Sequence, residues 1–452
     1  MEPSPDQFNQ PVLQIVHVTD WHLWLDVSTI EPKTLRLIKR LQKGGAWLGI
    51  FDRNLRETFW WNSQDIAAEM REVGSDWADG LLGHDKHALS LFKEALAELT
   101  AKDETWSQVA TWLIDTGDLS TYGDEKSLLG GIALLKEFSE IAGAQFHHIH
   151  GNHDAWPQAQ PMHASHEQID EHKKKLRDEI FVNDYPWPTP IVQSVSSGKY
   201  EIHLNALNTV VHDRSENIRA IGRIDQDQHW RKPPRPNEQF DDLREQARAY
   251  SQDGSQPRLR ILLTHHPVHE PPHFRYRMTM RLADDRQVAE NLAPLPEIES
   301  MGPIAHIVLS GHTHELYPPL GALPCGPAEC EHPHLGPNQC QLIVGSLCKS
   351  DWVSGSLALT RQEVAEEVIH LRRLRTEASR RRARLSRKDL KRLRKLEKEL
   401  QEIHPQQFQI LRFFANAANH RTLKLSRTVY FRQNSSGKFK PMGESEEMLV
   451  PF

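Results

Sequence analysis

Six apolar runs along this chain each end on polar residues, and five of them end on the same few residue types. Val12 to Thr19 ends at Asp20 in Thr-Asp-Trp-His. Val109 to Asp115 leads into Gly117-Asp118, and Gln145 to His150 into Gly151-Asn152-His153-Asp154. Arg258 to Thr264 leads to His265-His266-Pro267, and Ile304 to Leu309 to Gly311-His312-Thr313-His314. Tyr200 to Val211 is a run of the same kind without such an ending, and Gln341 to Val344 and Gly355 to Leu374 supply more. Runs this short, rich in Val, Ile and Leu and bounded by turn residues, read as buried strands. Longer amphipathic stretches separate them, so the predicted class is α/β. Each motif then lies just past the carboxyl end of a strand, the edge at which open α/β sheets bind ligands.

The residue types at that edge are those that hold cations. Two divalent ions about 3.5–4 Å apart need a shared ligand, and Asp118 suits this: its carboxylate has two oxygens and follows a glycine that allows close approach. Asp20 and His22 stand at i and i+2, so an extended backbone would turn both to one side. His312 and His314 repeat the spacing. Asn152 and His265 complete the set, the former with a neutral carbonyl oxygen that limits negative charge. Nitrogen and oxygen donors of this mix suit Mn, Fe or Zn. His153 follows Asn152 directly, so its ring is expected to face substrate as a general acid, with Asp154 holding that ring and favouring its protonated form.

The motif order resembles the calcineurin-like metallophosphoesterase superfamily. Gly-Asn-His-Asp, His-His-Pro and Gly-His-Thr-His are most similar to its cyclic-nucleotide phosphodiesterase-like branch. The resemblance spans roughly Val12 to Leu374 and implies a four-layer α/β/β/α sandwich holding two metals. It implies that Asp20, His22, Asp118 and His314 bind one metal, and that Asp118, Asn152, His265 and His312 bind the other. It also implies hydrolysis of a small phosphate ester, a cyclic nucleotide-like diester first, by a hydroxide bridging the metals. Gly222-Arg223-Ile224-Asp225 with Gln228 resembles a stretch that some members carry after the fourth strand.

Composition bounds the rest. With 452 residues, 38% hydrophobic and 26% charged, the chain can bury a large core. No stretch approaches the roughly 18 apolar residues that span a bilayer, and the acidic start Met1-Glu2-Pro3 has no secretory character. The cytoplasm is therefore expected, with Cys325, Cys330, Cys340 and Cys348 reduced. Cys325, Cys330, His332, His334 and Cys340 are too loosely spaced to favour a zinc loop.

Residues 26–108 form a long excursion between the first two motifs, expected as a helical insertion (Thr34 to Gln42 and Lys86 to Leu99) whose tryptophans build its own core. The expected catalytic domain is 1–375. Residues 376–452 are expected to be a basic helical extension followed by an appended tail, with strands at Arg427 to Gln433 and Lys438 to Met442. Arg372 to Lys398 holds 14 Lys or Arg against three acids, +11 within a net charge of −6, so the remainder carries −17. Ser386 with Asp389 resembles a capping box, and Leu393, Leu396, Leu400 and Ile403 form a helical stripe. Any nucleic-acid contact belongs to 372–398, which leaves a metal-dependent nuclease as the alternative reading and a non-catalytic scaffold as a third.

Overall fold

The computed structural model describes residues 8–23, 86–120, 123–155, 166–176, 191–195, 198–210, 222, 238–251, 258–268, 292, 303–313, 320–321, 339–348, 386–392, 406–416, 421–432, 438–442 and 445–451. Thirteen strands form two sheets among them. The first runs β12 (Phe439–Pro441), β11 (Thr422–Arg432), β10 (Gln407–Asn416), β1 (Phe8–Val18), β2 (Thr111–Asp115), β3 (Gln145–His148), and β13 (Glu446–Pro451) also pairs with β11. The second runs β4 (Ile191–Val195), β5 (Gly198–Leu207), β6 (Arg258–Thr264), β7 (Ile307–Ser310), β9 (Cys340–Ile343), β8 (Leu320–Gly321). β1, β2 and β3 are parallel, as are β5, β6, β7 and β9. That arrangement brings the carboxyl ends of the motif-bearing strands of each sheet to one edge.

Alternation along the strands explains the layers. Leu13 and Ile15 of β1 and Trp112 and Ile114 of β2 meet Ile202, Leu204, Ile261, Leu263 and Leu309 of the second sheet in one buried cluster. The opposite face of β1 and β2, through Val16, Val18 and Leu113, packs on two helices: α1 (Lys86–Lys102) and α2 (Glu125–Ala142). On α1 the packed residues are Ala88, Leu89, Leu91, Phe92 and Leu96, the spacing of a single helical face. Phe92 lies edge-on to Phe138 at 5.2 Å and to Phe408 at 4.9 Å, and truncating it to Ala would cost about 3–5 kcal/mol. Asp124 caps α2 by accepting from the Ser127 amide at 2.9 Å, and left-handed Gly143 ends it. Outside the second sheet, Leu262 and Val308 pack on Phe240 and Leu243 of α4 (Glu238–Ser251). Helix, sheet, sheet and helix stack in the expected four layers. One further helix, α3 (His166–Lys175), follows the third motif.

The carboxyl-terminal strands correct one expectation. Residues 407–451 are no appendage: β10 pairs antiparallel with β1 from Phe8↔Asn416 to His17↔Gln409, in the middle of the first sheet. The sheet therefore crosses the expected boundary at 375. β10 was missed because buried Gln407 and Gln409, and then Arg412, interrupt its apolar residues, so it shows no unbroken buried run. Of the excursion, Lys86–Lys102 is helical as expected, while 24–85 lies outside the described residues, as does Gly355 to Leu374. Of the basic segment, 387–392 is helical and Ser386 caps it, its Oγ accepting from the Asp389 amide at 3.1 Å. The leucine stripe beyond lies outside the described residues, as do Cys325, Cys330, His332 and His334. Cys340 and Cys348 are buried, Cys340 within the core between the sheets. No helix among the described residues is long and apolar enough to cross a membrane.

Candidate metal centre

Every non-glycine residue with positive φ among the described residues is an expected metal ligand: Asp20 (53°), His22 (49°), Asp118 (58°) and His312 (66°). Left-handed backbone costs an L-residue roughly 1–2 kcal/mol, and such strain persists where the surrounding structure imposes it, most often at functional sites. It also corrects the expectation of extended backbone at Asp20 and His22. Both reach the site from a left-handed loop, and Trp21 between them turns the other way, into the core beside Phe138 at 5.7 Å. The loops are pinned together by Asp20 N to Gly117 O (2.9 Å) and His22 N to Asp118 O (2.9 Å).

Close approach explains two motif glycines. A Cβ on Gly151 would lie 2.1 Å from Asp118 Oδ1, and one on Gly311 would lie 1.9 Å from Thr19 Oγ1 and 2.7 Å from Asp20 Oδ2. The ligand loops pack backbone against carboxylate with no room for a side chain.

Asp118 sits at the centre, fully buried. Its Oδ1 accepts from the His153 amide at 2.9 Å. Its Oδ2 lies 3.8 Å from His22 Nε2 and 3.3 Å from His265 Nε2, so this single oxygen faces both halves of the site. On one side are Asp20 Oδ1, 3.8 Å from His22 Nε2, and the His153 ring, edge-on to His22 with centroids 4.7 Å apart. On the other, His265 Nε2 lies 3.0 Å from Asn152 Oδ1 and 3.1 Å from His312 Nδ1. His22, Asp118 and His153 form one set of converging donor atoms, and Asp118, His265 and His312 a second. His314 lies outside the described residues.

The electrostatics call for positive charge here. His265 Nδ1 donates to the Thr116 carbonyl at 2.8 Å, which leaves Nε2 pointing at Asp118, Asn152 and His312. Burial disfavours a charged ring, yet the carboxylates of Asp118 and Asp20 outweigh it and push His265 up to about 9. Asp118 feels the reverse: burial would raise it, but His265, His153 and His22 hold it well below the usual carboxylate range. A proton on His265 thus stands where a cation would. The buried carboxylate oxygens, imidazole nitrogens and amide oxygen around it are a donor set that fits a divalent metal. Asp20, His22 and Asp118 would hold one ion, and Asp118, Asn152, His265 and His312 the other.

His153 is half-buried beside the first set. Asp154 differs from its expected use as a ring partner. Its carboxylate accepts from the amides of Ser120 (2.8 Å), Gly151 (2.9 Å) and Leu119 (3.3 Å) and from Ser120 Oγ (3.1 Å). It therefore ties the Asp118 loop to the Asn152 loop, and burial with the Asp118 charge pushes it up to about 7. His172 of α3 donates to the Asp154 carbonyl at 2.9 Å and steadies the same loop. His266 turns away from the donor set: Thr209 Oγ1 meets its Nδ1 at 2.7 Å, and its ring packs on His312 with centroids 4.1 Å apart. Gly222 approaches that ring so closely that a Cβ would fall 2.4 Å from it; residues 223–228 lie outside the described residues.

Sequence reasoning missed His17, Asp115, Thr116 and Ser346. Asp115 ends β2, fully buried, and burial with the Asp154 charge pushes it well above the carboxylate range. His17 was legible only as a lone histidine on an apolar strand, a pattern that ordinary buried histidines share.

The calcineurin-like phosphoesterase pattern matches residues 13–316, two thirds of the sequence and all of the motifs. The chain belongs to the calcineurin-like phosphoesterase family. It is a metallophosphoesterase, a metal-dependent hydrolase of phosphate esters. Among solved structures, a dimetal phosphatase from Danio rerio aligns over 98% of this chain and 99% of its own, at 10% identity and a TM-score of 0.39. No curated protein matches the sequence.

Proposed function

We propose that this phosphoesterase hydrolyses small phosphodiesters, cyclic nucleotide-like diesters first, at a centre of two Mn, Fe or Zn ions. The observation that carries this reading is Asp118 Oδ2, buried between His22 Nε2 and His265 Nε2. When bound, two such ions supply Lewis acidity at the phosphoryl oxygens and lower the pKa of water. The protein contributes the rest. Asp118, Asp20 and the histidines would hold the ions, and Asn152 would add an oxygen without adding charge. The burial of the donor set strengthens each interaction on the charge that develops at phosphorus.

His153 is the proton donor in this reading. It lies beside the first donor set, and its amide is anchored on Asp118 Oδ1. From there its ring can protonate the departing alkoxide. Asp154 serves it through the loop, by holding residues 151–154 against 119–120. Four cysteines in 452 residues are few for a disulfide-stabilised secreted protein, and we assign the protein to the cytoplasm.

The test is hydrolysis of bis-p-nitrophenyl phosphate, p-nitrophenyl phosphate, and 2′,3′- and 3′,5′-cyclic nucleotides with Mn added, by wild type and Asp118→Asn, with metal content measured on the same samples. Diesters turned over faster than the monoester, and lost in the variant, support the reading. A faster monoester rejects the diester preference, and turnover unchanged in Asp118→Asn rejects the site.

A further inference from the structure

β11 carries a fully buried arginine that the reaction does not explain. Arg427 is 1% exposed, and its three guanidinium nitrogens have separate acceptors: Nε donates to Gln409 Oε1 (2.6 Å), Nη1 to Glu446 Oε2 (3.0 Å) and Nη2 to the Ile343 carbonyl (3.0 Å). A buried guanidinium without partners is costly, so these bonds hold its neighbours in place as firmly as they hold the arginine.

The first bond has a directional consequence. Because Arg427 can only donate, the Gln409 amide must turn its oxygen toward Arg427. Its Nε2 then faces His17 and donates to Nδ1 at 2.7 Å. With Nδ1 accepting, the neutral His17 ring carries its proton on Nε2, which donates to Thr116 Oγ1 at 3.0 Å. The carbonyl of that same threonine accepts from His265 Nδ1. A second route runs beside it. Gln407 N donates to the Ser346 carbonyl at 3.0 Å, and Ser346 Oγ to the Asp20 carbonyl at 2.6 Å.

We propose that Arg427 is a positioning residue of the metal centre, acting through Gln409, His17 and Thr116 on the carbonyl that aims His265. Arg427 and Gln409 both lie outside residues 13–316. The part of the chain beyond the family motifs thus takes part in shaping the ligand set. This rests on the reading of His265 as a metal ligand.

Gln409→Glu is the decisive variant. Its carboxylate still accepts from Arg427 but cannot donate to His17, so the His17 proton must move to Nδ1 and the contact with Thr116 persists only in reverse, with the hydroxyl turned to donate to Nε2. Glu446→Gln is the control, since it weakens the ion pair of Arg427 and leaves the relay intact. Mn titrations should show one of two sites weakened in Gln409→Glu, up to the about 10–100-fold that losing a ligand's own outer hydrogen-bond partner costs. Both sites should be unchanged in Glu446→Gln. Ring 15N spectra should show His17 protonated on Nε2 in wild type and on Nδ1 in the variant.

Unchanged metal affinity in a folded Gln409→Glu protein overturns the proposal, and so does equal weakening in both variants, which would mark a general loss of sheet stability. If Gln409→Glu does not fold, the wild-type spectrum decides: a His17 proton on Nδ1 overturns the relay, and one on Nε2 upholds it. His265→Ala separates the underlying assumption. If it keeps two metals, the ligand assignment fails. If it loses one while Gln409→Glu loses none, only the positioning role fails.

Discussion

The two halves of the metal centre are held by different means. The half with Asn152, His265 and His312 is fixed by hydrogen bonds: His265 is oriented by the Thr116 carbonyl, and its Nε2 lies within 3.1 Å of two further donor atoms. The half with Asp20 and His22 is fixed by backbone. Both residues are left-handed, their donor atoms stand 3.8 Å apart, and the core side of the loop is anchored by Trp21. The His265 ring is oriented by an outer partner and the His22 ring by loop conformation, a left-handed backbone that His312 shares, and Asp118 belongs to both halves. The two halves should therefore fail differently when perturbed.

Asp118→Asn should do the most damage. Losing the shared carboxylate is expected to empty both positions and abolish turnover, read as metal per chain and as rate. His265→Ala and His22→Ala should each remove one ion and leave the other. Loss of both ions from either variant would break the distinction between the halves.

His153→Gln should keep both metals yet lower kcat by about 10²–10⁴-fold for an alkoxide leaving group. With p-nitrophenolate, which departs without a proton, the effect should be far smaller. An equal loss on both substrates would remove His153 from the acid role.

Protonation sharpens the contrast further. In the metal-free protein His265 has a pKa of about 9 against an ordinary 6.5. Its contribution, about 3 kcal/mol, is fully present below pH 6.5 and is lost as pH rises through 9. Bound metal replaces that proton. Urea midpoints should therefore fall between pH 6.5 and 9.5 without metal and hold better with it, and Mn binding at pH 7.5 should release a proton to the buffer. His265→Ala should lose both effects, and His22→Ala should keep them.

The smallest effect concerns the loop tie. Asp154→Asn keeps the shape of the side chain but loses acceptor capacity toward Ser120 and Gly151. It should lower the melting midpoint by a few degrees, consistent with about 1–3 kcal/mol for buried donors left unmade, with both metals retained at saturating Mn.

The site was legible from sequence because its residues are rare types at fixed offsets after apolar runs, and the strand ends bring Asp20, Asp118, Asn152, His265 and His312 together as expected. What the sequence withheld was conformation and support. Left-handed Asp20 and His22 leave no mark in a one-dimensional pattern, and the extended reading of i and i+2 was the natural one. Asp154 binds backbone amides, which no side-chain motif announces. The largest gap was β10. Phe408, Ile410 and Phe413 fill cores on both faces of the sheet, but Gln407 and Gln409 are buried between them, so the strand lacks the unbroken apolar run that marks a buried one.

The pairing of Phe8 with Asn416 has a consequence for the chain's birth. At about 5–20 residues per second, a ribosome needs roughly 20–80 seconds to travel from one to the other. For that interval β1 lacks the antiparallel neighbour that covers one of its edges in the finished sheet. An apolar, uncovered edge is a template for mispairing. Synthesis of this enzyme is thus a period of exposure that ends only when the last strands emerge, and nascent chains stalled before them are the species for which chaperones would compete with aggregation.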